Sequence, residues 1–111
     1  MHIFQGSSAP ENQLLAALPD REYQRLLPHL ELVSLSLRQV LYQVNKSIEH
    51  VYFPHQAIVS LVSTMKNSST IEVGLVGNEG MVGIPVILGA NSSINQVKVQ
   101  VARSAMRMKA S

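Results

Sequence analysis

A chain of 111 residues with 46% apolar and only 14% charged side chains has material for one core and one domain, and is too apolar to stay disordered. The formal net charge of +2 is dispersed, apart from Arg103, Arg107 and Lys109, so the chain lacks the basic stripe that nucleic-acid binding needs. The absence of Cys excludes disulfides, thiolate metal sites and cysteine nucleophiles, no apolar run is long enough to cross a bilayer, and the start lacks the pattern of a secretory signal; a cytoplasmic protein with no membrane partner is expected.

Residues 1–9 are small and polar and read as a flexible N-terminus, with one domain over 10–111. A first helix is predicted from about Pro10 to Leu18, with Ser8 as the nearest capping candidate and Leu14, Leu15 and Leu18 as its stripe. Pro19 ends it. Asp20 is expected to cap a second helix carrying Tyr23, Leu26 and Leu27, which Pro28 closes. From Leu30 the period changes to two. Strands are predicted at Val40–Gln43, His50–Phe53, Ala57–Thr64, Thr70–Val76, Gln96–Ala102 and Ala105–Lys109. Turn-rich pieces separate them, among them Asn45-Lys46-Ser47, Asn67-Ser68-Ser69 and Ala90-Asn91-Ser92-Ser93. The pattern predicts a mainly β fold with short helices: an antiparallel sandwich, barrel or jelly roll.

Five of the six glycines fall between Gly74 and Gly89. The segment from Gly77 to Gly89 begins where a β-patterned run ends, and continues into Val86-Ile87-Leu88. Glycine admits a close backbone crossing, and Pro85 fits the first turn of a helix. The segment therefore reads as a tight crossing followed by a short helix, with a helix start open to an anion. The alternative is a plain β-to-helix turn with no ligand.

The ordered set of motifs supports a resemblance. Asn12-Gln13-Leu14-Leu15-Ala16-Ala17-Leu18-Pro19 is followed by Leu26-Leu27-Pro28-His29-Leu30-Glu31 and Val40-Leu41-Tyr42. Then come Ile48-Glu49-His50-Val51-Tyr52-Phe53-Pro54, Ile58-Val59-Ser60-Leu61-Val62 and Gly77-Asn78-Glu79-Gly80-Met81-Val82-Gly83. Together, over about residues 12–109, they resemble the sensor domain of Crp/Fnr-type bacterial transcription regulators, a branch of the cyclic-nucleotide-binding superfamily. The resemblance implies a double-stranded β-helix, or jelly-roll β-roll, of about eight strands. It makes the glycine segment a phosphate-binding cassette, in which a Glu after the glycine holds the ribose and an Arg some ten residues on holds the cyclic phosphate.

On this chain Gly83 takes the glycine place, while the Glu place falls on Ile84 and the Arg place on or near Ser93. No Arg or Lys lies between Lys66 and Lys98. A buried anion needs a paired cation and aligned donors, so cAMP and cGMP are expected to bind poorly or not at all. The ligand-binding candidates are Glu79, Gly80, Gly83, Ile84, Ser92 and Ser93, serving an unknown small-molecule effector.

Each candidate has an ordinary structural alternative. Glu79 suits a cap or a solvated turn, and Asn91, Ser92, Ser93 and Asn95 suit a loop. Arg103 and Arg107 suit an outer strand face. His50 and His55 fall on opposite faces of a strand and make no metal pair. The sole acid of Asp type, Asp20, offers no Ser-His-Asp set. No enzyme activity, metal or cofactor is expected. The chain stops at Ser111, after the last strand pattern, so DNA contact is expected only through a C-terminal domain outside this sequence. The resemblance also implies a homodimer in the full-length protein. The apolar Met81, Val82, Ile84, Val86, Ile87 and Leu88 exceed what one short helix buries, so part of that set is expected to pack on a partner chain or a further helix. The alternative function is a degenerate roll that serves as a dimerisation or interaction module without ligand.

Overall fold

The computed structural model describes residues 11–110. Seven strands form two antiparallel sheets: β1 (Glu31–Ser34), β7 (Ser104–Lys109) and β3 (His50–Pro54) in one, and β2 (Val40–Tyr42), β6 (Gln96–Val101), β4 (Ile58–Thr64) and β5 (Thr70–Val76) in the other. Three short helices accompany them: α1 (Gln13–Ala17), α2 (Asp20–Leu26) and α3 (Ile84–Ile87). The strand over Thr70–Val76 matches its sequence expectation end to end, and the other five expected strands each shift by one residue at one end.

The strands alternate because one face of each sheet is buried. Val59, Val97 and Val99 from one sheet meet Tyr52 and Ala105 from the other in the roll core. The residues between them on β3 and β7 point the opposite way. Val51 and Phe53, with Met106 and Met108, pack under Leu15, Leu18 and Leu26 of the helices. β3 is thus covered on both sides, which accounts for its nearly unbroken apolar sequence. Pro54 ends the strand rather than interrupting it: it is buried, and it pairs with Ala105.

The helices depart from expectation at their ends. α1 is capped by Asn12, whose Oδ1 accepts from the amides of Leu14 and Leu15 at 2.9 and 3.2 Å. Ser8 and Pro10 lie outside the described residues. Asp20 is the first residue of α2 rather than its cap, the cap position belonging to Pro19. Its carboxylate still suits the positive helix end. Pro28 does not close the helix; it sits early in a 3-10 turn over Leu27–His29, where its missing N–H has no helical partner to lose. The resemblance implies about eight strands; among the described residues seven form, with three isolated bridges beside them, Val82 with Tyr52, Ser92 with Ser47 and Ser93 with Val44.

Candidate functional site

The glycine segment begins as a tight turn. The Gly80 amide donates to the Gly77 carbonyl at 3.2 Å, and the exposed Glu79 accepts from the Gly77 amide through Oε2, also at 3.2 Å. This acid therefore caps the turn.

Asn12 ties the turn to α1. Its side chain is fully buried, and Nδ2 donates to the carbonyls of Pro54 and Gly80, both at 2.8 Å. The Gln13 amide adds a bond to the Asn78 carbonyl at 2.7 Å. One side chain thus joins the first helix, the end of β3 and the glycine turn, with every polar hydrogen and both acceptor sites of its amide used.

The chain then crosses β3. Val82 and Tyr52 exchange both backbone hydrogen bonds, at 3.0 and 2.8 Å. Gly83 follows with φ of +117°, in the left-handed region. A Cβ on it would stand 2.6 Å from Val51 Cγ1 and 2.8 Å from the Tyr42 hydroxyl. No larger residue fits, so the close crossing read from the sequence is real at this position. The Tyr42 hydroxyl donates to the His50 carbonyl at 2.7 Å and lies 3.1 Å from that of Val82. Burial, with the neighbouring Tyr52 second, raises its pKa well above the ordinary tyrosine value.

α3 spans Ile84–Ile87, with Pro85 in its first turn. Its outer side and its C-cap are bare: Ile84, Ile87 and the capping Leu88 are 53%, 68% and 80% exposed, whereas Val82 is buried. The expected apolar surplus is therefore present and sits on this helix. The loop beyond it returns to the roll through bridges from Ser92 to Ser47 and from Ser93 to Val44. Ser93 is buried, and its hydroxyl is spent locally: it donates to the Asn95 carbonyl at 2.6 Å and accepts from the Asn95 amide at 3.2 Å.

Of the six candidate residues, Gly83, Ile84 and Ser93 line one cavity. Glu79, Gly80 and Ser92 are not on its walls. The cavity holds about 90 Å³, and Tyr42, Leu61, Val76 and Val97 form much of the rest. No charged side chain lines it. Sites for drug-sized ligands begin at about 300 Å³. The late arginines stand elsewhere: Arg103 is exposed, and Arg107 Nε donates to Glu31 Oε1 at 2.9 Å. That bond, then the arginine's charge, lowers the Glu31 pKa.

No known family profile matches the chain, and no curated protein matches its sequence. Solved structures do match. The regulatory subunit of a cAMP-independent protein kinase A from Trypanosoma brucei, a mutant bound to cAMP in its A site, superposes at a TM-score of 0.78 with 15% identity. The match covers 90% of this chain and 37% of that one, so this chain spans little more than a third of the subunit. The fold is the cyclic-nucleotide-binding β-roll. Its neighbours include Crp/Fnr-type transcriptional regulators. The N-terminal domain of a transcriptional regulator from Streptomyces coelicolor matches at 0.74 and 17% identity, over 88% of this chain and 68% of that one. The sensor domain of the regulator DNR from Pseudomonas aeruginosa matches this β-roll at 0.70 and 12%, over 84% and 63%.

Proposed function

We propose that this chain is the regulatory sensor domain of a Crp/Fnr-type transcription regulator, and that its cassette does not take cAMP or cGMP in the usual way. The observation that carries this is the cassette cavity: Gly83 makes the close crossing, and Ile84 and Ser93, the positions that the resemblance gives to a carboxylate and a guanidinium, line a cavity with no charged wall. Each missing charge-assisted hydrogen bond costs about 1.5–3 kcal/mol. Two such losses weaken binding by at least roughly two decades. Ser93 does not compensate, because its hydroxyl is engaged by Asn95. The regulator-domain neighbours support the regulatory role, and DNA contact and dimerisation belong to the full-length protein in this reading. The bare face of α3 is where a helix or partner chain packs, so that movement of the cassette changes dimer geometry.

Calorimetric titration with cAMP and cGMP tests the proposal. The chain itself is expected to give no saturable binding. The double variant Ile84→Glu with Ser93→Arg, verified as folded by circular dichroism, is expected to gain affinity for cAMP. The Trypanosoma subunit that matches this fold is a parallel: its cAMP-bound form carries three substitutions, one of them threonine to arginine. Micromolar binding by the unaltered chain overturns the proposal. The small cavity favours a second reading, a roll kept for dimerisation or protein contact with no ligand in the cassette.

A further inference from the structure

The sheet that walls the cassette cavity on its inner face carries a groove on its outer face. Val97 and Val99 of β6 are buried in the core, so Lys98 between them faces out. Lys98 lies opposite Ser60 of β4, and the β4–β6 register runs unshifted from there to Val62. Val62 in turn lies opposite Glu72 of β5. Directly opposed residues share a face, so these four side chains stand together on the outside. Arg38, in the turn before β2, joins them from the far side of β6, where its amide donates to the Val99 carbonyl at 3.0 Å. All five residues line a groove of about 430 Å³, within the range of small-molecule sites.

The groove has two poles. Arg38 and Lys98 supply two cations on the β6 side, and Glu72 is the one acid, on the β5 side. Among the described residues none of the three makes an ion pair. Ser60 is only 4% exposed despite its place on the outer face, and its hydroxyl donates to Glu72 Oε1 at 2.8 Å. That bond draws the acid over β4. Arg38 has φ of +67°, in the left-handed region that favours glycine. Side chains held against such a preference concentrate at functional sites.

The charges narrow the guest. A nucleotide would bring its phosphates against Glu72, and a polyamine would bring its ammonium groups against Arg38 and Lys98. A zwitterion satisfies both poles. Length decides among zwitterions. β5 and β6 flank β4, so their backbones run about 10 Å apart, and the lean of Glu72 toward Ser60 brings its tip nearer. An α-amino acid carries its poles about 3 Å apart, and a hydrogen bond of about 2.8 Å at each end makes a span of about 9 Å.

We propose that this groove binds a free α-amino acid with an aliphatic side chain, its carboxylate at Arg38 and Lys98, its ammonium at Glu72 and its side chain over Val62. The site goes beyond the cassette reading and does not depend on it. The two sites share a strand: Ser60 lies in the groove, and its neighbour Leu61 is on the cassette cavity wall.

Amide chemical shifts followed by NMR during titration with L-leucine test the proposal. Saturable shifts are expected at Ser60, Glu72 and Lys98. N-acetyl-leucine lacks the ammonium and leucinamide lacks the carboxylate, and each is expected to bind about tenfold more weakly or worse. Glu72→Gln keeps an acceptor for the Ser60 hydroxyl. It is expected to weaken leucine by about tenfold and to leave N-acetyl-leucine unchanged. Arg38→Gly suits the backbone at that position, so folding is not at stake; it is expected to weaken leucine and to leave leucinamide unchanged. Absence of saturable shifts in the unaltered chain overturns the proposal. So does equal affinity for leucine and its two one-pole analogues, a comparison that needs no variant to fold. Undiminished leucine binding by Arg38→Gly overturns it as well. None of these titrations involves Ile84 or Ser93, so a null result with leucine leaves the cyclic-nucleotide tests of the cassette to be judged separately.

Discussion

Replacing Asn12 by Ala removes four hydrogen bonds from a fully buried side chain. Loss of an N-cap costs about 0.5–2 kcal/mol. The carbonyls of Pro54 and Gly80 then lose their donor, and a buried unsatisfied group costs about 1–3 kcal/mol. The Gly80 carbonyl is only partly buried, so water recovers some of its share. The sum is about 3 kcal/mol, a large part of the stability of a small domain. At about 4 °C per kcal/mol for a chain of this size, the melting temperature should fall by about 12 °C. Asn12→Ser keeps an acceptor for the helix amides but supplies no donor pair, so it should lose less. Asn12→Asp keeps the acceptor and sets a carboxylate oxygen against two carbonyls, so it should lose at least as much as Ala at neutral pH. Thermal and urea unfolding of the three variants measure the order. An Asn12→Ala cost below about 1 kcal/mol would refute the reasoning, since it would mean that the two carbonyls are satisfied without the side chain.

Gly83→Ala should destabilise the fold by about 2–4 kcal/mol, from left-handed backbone strain and from overpacking against Val51; a neutral result in urea unfolding would refute the crossing geometry. The Glu31–Arg107 pair should make stability depend on acid pH. Because the Glu31 pKa is lower in the folded state, its contribution is complete above the ordinary glutamate range near about pH 4.3 and is lost as the pH falls through the lowered value. Glu31 is largely exposed, so the effect should be small and weakened by salt. Arg107→Gln should flatten that part of the acid-unfolding curve, and an unchanged curve would count against the pair.

The strands were legible from their spacing by turn residues and, in Gln96–Val101, from the alternation that a buried face imposes, with Val97 and Val99 inside; in Thr70–Val76 the alternating Ile71, Val73 and Leu75 are instead exposed. Gly83 was legible as well: glycine before an Ile-Pro helix start is a local signal. Asn12 was not. As a cap it competes with Ser8 in the local pattern, and its second role depends on carbonyls 42 and 68 positions further on. Nothing local announces that a polar side chain will be enclosed there. The meeting of Ile84 and Ser93 at one cavity came from family resemblance, because a loop closing over a roll leaves no periodic trace.

The single bridge between Val82 and Tyr52 has a kinetic consequence. Strands joined along a full ladder open only when many hydrogen bonds break together. The segment carrying α3 is held by no ladder: one exchanged pair ties it to β3, the Asn12 cluster to α1, and the single bridges of Ser92 and Ser93 to the roll beyond it. Such a segment can detach at a fraction of the global unfolding free energy. Amide exchange in α3 should therefore run ahead of exchange in β4 and β6, and Asn12→Ala should speed it further by removing one of these anchors.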